Sequence, residues 1–175
     1  MSAEAGDARA PALLRRMACF LYEAMLLFGV LMLAGWLYSI VSGQRHALVG
    51  RGGLQAVVFV VLGAYFGWFW AHGGQTLAMK AWRIRVVTRD GAALTASRAL
   101  VRYLLAWAWF VPALAWIAAS DLHRPAPIAL AVCGGIAAYA LSSRLHPSRQ
   151  FWHDVAAGTR LIDVAAVAGR HNRVR

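Results

Sequence analysis

The sequence predicts an all-α membrane protein: four transmembrane helices with a small cytoplasmic β-hairpin and a C-terminal interfacial amphipathic helix. Three observations carry that reading. Hydrophobic residues make up 61% of the chain and charged residues 14%, against about 45–50% and roughly 25% in soluble domains, and the mean hydropathy is +0.55. Long apolar runs alternate with short polar segments. The basic residues gather in the segments that four crossings would bring to one side. The 175 residues leave room for one compact membrane domain, about 13–164, and for no large soluble second domain.

The first span, about 17–41, comes after a small polar tail at 1–12 that reads as disordered. From Met17 to Val41 the only charged side chain is Glu23, and about 20 apolar residues suffice to cross a bilayer. The run is far longer than the h-region of a signal peptide, so it reads as an uncleaved span. Arg15 and Arg16 stand at its mouth. Arg16 and Glu23 are nearly two helical turns apart, so they share a face at about 10 Å along the axis. A carboxylate inside a membrane is costly and marks a pathway, a relay or a structural pair. Glu23 therefore has two readings: a proton- or cation-carrying group, or an ion pair with Arg16 or an arginine from another segment.

Residues 42–53 have the glycine-rich composition of a loop. The second span, about 54–71, contains Gly63 and Gly67 at the spacing that lets another helix approach closely. It ends in Trp68-Phe69-Trp70, an aromatic belt at a membrane boundary. In the polar segment 72–99, the partly alternating, β-branched stretch Trp82–Val87 leads into Asp90-Gly91, which predicts a hairpin. The third span, about 100–119, has Arg102 near its start, placed to snorkel, and Pro112 inside, placed to kink it. Residues 120–127 form a loop. The fourth span, about 126–143, is short and rich in Ala and Gly. Its Ala131/Gly135 and Gly134/Ala138 pairs suit a helix packed among others. Cys19 and Cys133 both lie in apolar runs and read as small core residues, not a disulfide.

The tail predicts an amphipathic helix, with Ser148 as N-cap and Gly158 as the stop. Phe151, Trp152, Val155 and Ala156 share its apolar face; Arg149, Gln150, His153 and Asp154 share the polar one, expected to face water. Thr159–Val164 is expected to join the hairpin as a third strand, and 165–175 is a basic tail.

Charge placement decides the number of spans. Four spans put Arg9, Arg15 and Arg16 on one side with Lys80, Arg83, Arg85, Arg89, Arg98 and Arg102. Arg144, Arg149, Arg160, Arg170, Arg173 and Arg175 join them, which makes fifteen of the 18 Lys and Arg. Only Arg45, Arg51 and Arg124 lie opposite. Three spans would divide the same residues evenly, so four are favoured, with both termini cytoplasmic. The net charge of +11 is explained the same way. It points to anionic lipid headgroups rather than nucleic acid as the partner.

Enzyme chemistry is not expected. The six histidines show no metal-ligand spacing, and no nucleophile stands with a plausible base. Gly73-Gly74-Gln75-Thr76 lacks the Gly-Lys-Ser/Thr of a phosphate loop. No metal and no cofactor are implied.

Three blocks carry a resemblance. They are Arg15-Arg-Met-Ala-Cys-Phe-Leu-Tyr-Glu23; Gly74 to Val87 with Asp90-Gly91 and Arg98-Ala-Leu-Val-Arg102; and Arg149-Gln-Phe-Trp-His-Asp-Val-Ala-Ala-Gly-Thr-Arg160. In this order they resemble the RDD family of small bacterial membrane proteins, over about residues 12–164. The family is named for an arginine opening the first helix and two aspartates. Arg16 matches the arginine, Glu23 stands where the first aspartate is expected, and Asp154 matches the second. Arg102 and Arg160 complete a candidate charge network with them. The resemblance implies a multi-pass inner-membrane protein, with ion, proton or solute transport as a suggested activity. The alternative is a structural or accessory subunit of a membrane complex. Four short helices enclose little room, so a homo-oligomer or a membrane partner is expected in either case.

Overall fold

A computed structural model of the chain describes residues 10–42, 51–107, 110–120 and 124–166. The elements in order are α1 (Leu13–Ser42), α2 (Arg51–Ala71), α3 (Leu77–Ala81), β1 (Ile84–Thr88), α4 (Ala96–Ala106), α5 (Val111–Ala119), α6 (Pro125–Ser142), α7 (Trp152–Ala156) and β2 (Thr159–Asp163). The predicted N-terminal tail, the 42–53 loop and the basic C-terminal tail fall mostly outside the described residues.

Among the described residues, four helical stretches are long and apolar enough to cross a membrane: Leu13–Ser42, Gly52–Ala71, Ala96–Ile117 and Pro125–Ser142. The third carries two described helices, α4 and α5, with residues 108–109 between them outside the described residues, and Pro112 lies in the first turn of α5. There the N–H that proline lacks would have had no helical partner.

Helix α2 packs against both α1 and α4, and α5 against α6. Small residues set these distances. A Cβ on Gly63 would lie 3.1 Å from the Tyr103 ring of α4, and one on Gly135 would lie 2.9 Å from the Cβ of Ala113 on α5. The Tyr103 hydroxyl then donates to the Phe59 carbonyl of α2 at 2.7 Å. Helices α1 and α4 scarcely touch each other, which leaves a cleft between them along α2. Cys19 is buried as expected, but Cys133 is exposed on α6 rather than in the core.

One end of the bundle is closed by α3, β1, α7 and β2. The two strands pair antiparallel, Ile84 opposite Asp163 through Thr88 opposite Thr159. The expected local hairpin is not formed. The Thr88 N–H does bond the Ala92 carbonyl at 2.9 Å, and Gly91 has φ 86°, so Asp90-Gly91 turns the chain. Past this turn the chain enters the N-cap of α4, where Thr95 Oγ1 accepts from the Arg98 N–H at 3.3 Å. The strand that pairs with β1 comes instead from the C-terminal segment, the stretch expected to supply a third strand. Gly74 supports the other edge of β1: its carbonyl accepts from the Val86 N–H at 2.8 Å.

The amphipathic helix is shorter than predicted, and most of its polar face turns inward, although Phe151 of the apolar face is buried and Arg149 of the polar face exposed. Helix α7 has five residues, its N-cap is Phe151 rather than Ser148, and Gly158 stops it at φ 65°. Its polar residues face the protein: Gln150, His153 and Asp154 are buried, while Trp152 and Val155 are exposed. The inversion has a physical reason. The end of the bundle offers buried partners to these residues, including Leu161, whose carbonyl and N–H both bond the Gln150 side chain at 2.9 and 3.0 Å. The outward surface is left to apolar side chains, as suits a helix lying against lipid.

Candidate functional site

Two polar centres lie at this end of the bundle, and their partners come from segments far apart in sequence. The first is built on Asp154, which is fully buried. Its Oδ1 accepts from Arg102 Nε at 2.7 Å. The guanidinium of Arg102 in turn lies over the Trp70 ring, 4.0 Å from its centroid. The Thr159 hydroxyl donates to the Asp154 carbonyl at 3.1 Å. His153 Nε2 is 3.5 Å from the same Oδ1, and its Nδ1 is 3.1 Å from the Tyr139 hydroxyl. Burial alone would raise the pKa of Asp154. The charge of Arg102, then His153, the Arg102 hydrogen bond and the charge of Arg16 outweigh it and hold the carboxyl below its ordinary value. Burial pushes the His153 imidazole down to about 4, against the pull of Asp154. A neutral ring can then accept the Tyr139 hydroxyl at Nδ1 and present Nε2–H toward Asp154.

The second centre is Glu23, which is 7% exposed. Its Oε1 accepts from the Tyr65 hydroxyl of α2 at 2.7 Å. Its Oε2 accepts from the hydroxyl of Thr76, the residue that also caps α3. Among the described residues, no Lys or Arg lies within ion-pair distance of Glu23. The ion pair expected between Glu23 and an arginine is therefore corrected. Arg16 does share the buried face of α1 with Glu23, but about 10 Å of helix separates them. The guanidinium of Arg16 turns instead to the Phe151 ring, 4.3 Å from its centroid, and contributes its charge to Asp154. The guanidinium groups of α1 and α4 thus converge on Asp154, not on Glu23.

The remaining arginines divide in role. Arg15, not Arg16, clamps the strands: its Nη1 donates to Asp163 Oδ2 at 2.5 Å and its Nε to the Trp82 carbonyl at 2.8 Å. Arg102, expected to snorkel, is 5% exposed and committed to Asp154. Arg160 lies in β2 opposite Val87 and is half-buried.

Arg16, Glu23, Arg102 and His153 all line the cleft between α1 and α4, a cavity of about 530 Å³. Its other walls are apolar, among them Leu27, Leu31, Leu62, Phe66 and Phe110. Among the described residues, no group of three His, Cys, Asp or Glu side chains could hold a metal ion. Tyr65 and Thr76 had little to mark them in the sequence, because a search for charge passes over hydroxyl groups, and Trp70, read as part of an aromatic belt, is instead buried beneath Arg102.

The charged residues that meet here, Arg16 and Asp154 from opposite ends of the chain, fall inside one family match: the RDD family model covers residues 10–158. The chain belongs to the RDD family. RDD proteins are membrane proteins, in keeping with the four apolar helices. No curated protein and no solved structure matches the chain significantly. For this RDD protein, Glu23 keeps a carboxylate in the first helix, one methylene longer than the aspartate of the family pattern.

Proposed function

We propose that this RDD protein is a small transport protein of the cytoplasmic membrane in which Glu23 binds the transported or coupling ion, a proton or a small cation. The observation that carries the reading is the setting of Glu23: a buried carboxylate on the wall of a cleft, held by two hydroxyls and by no basic residue among those described. A carboxylate in apolar surroundings without a countercharge is stabilised by taking up a proton or a cation. Asp154, with Arg102 and Arg16, holds the closing end of the bundle around it and carries no ion itself. This reading is not enzymatic. The charges support cytoplasmic termini: Arg15, Lys80, Arg83, Arg85 and Arg89 lie at the end closed by the strands, and Arg124 begins α6 at the other.

The experiment is ion or proton flux in proteoliposomes. Glu23→Gln removes the charge and keeps the side chain's shape and one acceptor oxygen for the hydroxyls, so the variant is expected to fold and to lose flux. Flux equal to that of the parent protein removes the proposal.

A second reading has one observation in its favour. Helices α5 and α6 carry no charged side chain, and the cleft walls are apolar away from its charged end, whereas a pathway for ions needs polar lining along its length. An accessory subunit of a membrane complex needs none. Affinity purification from native membranes separates the two. A stoichiometric partner supports the accessory role, and recovery of homo-oligomers alone counts against it.

A further inference from the structure

Glu23 leaves one charged group on the cleft unexplained. Arg16 is 5% exposed, lines the cavity, and has no hydrogen-bond partner for its Nε and Nη1 among the described residues. Phe151 covers the flat face of its guanidinium and leaves the donor edge open. A guanidinium that far from water with donors unused is costly, and its planar fork fits an oxyanion. Arg102 adds positive charge beside it, although its Nε is already committed to Asp154. Below Arg16 the cleft is apolar, running past Leu27 and Leu31 on α1 and facing Phe66, Ala106 and Phe110. From Arg16 to Leu31 the helix rises about 22 Å, which exceeds the roughly 15 Å hydrocarbon depth of one leaflet. Glu23 lies on this path but turns both oxygens to Tyr65 and Thr76. Helices α1 and α4 do not close on each other.

We propose that the cleft holds one acyl chain of an anionic phospholipid, with the phosphate bound by the donor edge of Arg16. The juxtaposition that carries this is a buried guanidinium whose Nε and Nη1 have no hydrogen-bond partner among the described residues, at the head of an apolar slot as long as an acyl chain. The site lies one turn inside α1, at the level where a headgroup phosphate meets the hydrocarbon. Lipid binding here does not depend on whether Glu23 carries an ion.

The test is lipid retention by the full-length protein in detergent, read by native mass spectrometry against phosphatidylglycerol and phosphatidylcholine. The parent protein is expected to retain one phosphatidylglycerol in preference to phosphatidylcholine. Arg16→Gln should weaken that retention by about fivefold, the equivalent of one charged contact. Ala24→Trp, which adds bulk at an apolar position on the cleft wall, should also weaken it. Arg144→Gln, on the exposed surface, should not. Retention unchanged by Arg16→Gln and Ala24→Trp means lipid adsorbed around the bundle only, and overturns the proposal. So does loss with Ala24→Trp alone, which would leave the phosphate on another group or a water between Arg16 and Asp154.

Discussion

Arg102 of α4 and Asp154 of α7 form a buried ion pair, Nε to Oδ1 at 2.7 Å, with side chains 6% and 0% exposed. The bond fastens the start of the third long apolar stretch to the C-terminal helix beyond the fourth. Removing one partner strands the other charge away from water, at a cost of about 3–5 kcal/mol. Arg102→Leu and Asp154→Leu should therefore each lower stability by that amount, measured by thermal unfolding in detergent. The double variant should lose less than the two losses together, because it leaves no orphaned charge. Arg102→Lys should not restore the parent stability, since an ammonium lacks both the Nε donor and the flat face laid on Trp70. Additive losses in the double variant would show that the pair is not the energetic unit described.

His153 makes stability depend on pH. Its imidazole titrates near 4 in the folded protein and near 6.5 in an unfolded chain. Between those values the unfolded state holds the proton and the folded state does not, so stability falls as pH drops from about 6.5 to about 4. The loss over the window is on the order of 3 kcal/mol. Asp154, whose carboxyl is held below its ordinary value, gives up its own contribution only below about 3.9. His153→Gln should thus flatten the thermal stability profile above pH 4 relative to the parent protein. Identical slopes in the two proteins would contradict the burial of a neutral imidazole.

Two glycines should respond in opposite ways. Gly74 has φ 69°, and a Cβ there would collide with the Val86 carbonyl, so Gly74→Ala should destabilise by about 1–3 kcal/mol. Gly134 is helical with nothing within 4 Å of its Cβ position. Gly134→Ala should be neutral or stabilising by up to about 1 kcal/mol. Equal responses in thermal unfolding would show that the edge of β1 is not set by Gly74.

Hydropathy made the four long apolar helices legible, because a membrane imposes it on sequence directly. Gly158 was legible as a helix stop because only a left-handed φ ends α7 there. The partner of β1 was not, since Asp90-Gly91 signals a turn but cannot say what the chain does after it. Thr95 makes the next segment a helix and leaves β1 for residues more than seventy positions on. The inward polar face of α7 was hidden for a related reason. Amphipathicity fixes two faces but not which one meets water, and Arg102 and Tyr139 decided that. At Glu23 the acidic group was plain in the sequence, but its partners are hydroxyls. Tyr65 sits inside a small-residue helix motif and Thr76 inside a glycine-rich turn, neither with a charge to announce it.

On the transport reading, Glu23 exchanges a proton with the contents of the cleft. The sharpest check is modification by an apolar carbodiimide, which reacts with protonated carboxyl groups in hydrocarbon-lined sites, with the labelled peptides of the full-length protein read by mass spectrometry. Label is expected at Glu23, suppressed at alkaline pH or by the coupling cation, and none at Asp154, which is held ionised by Arg102. Absence of label on Glu23 across the pH range, with the cleft open and the protein folded, would contradict proton exchange at this carboxylate.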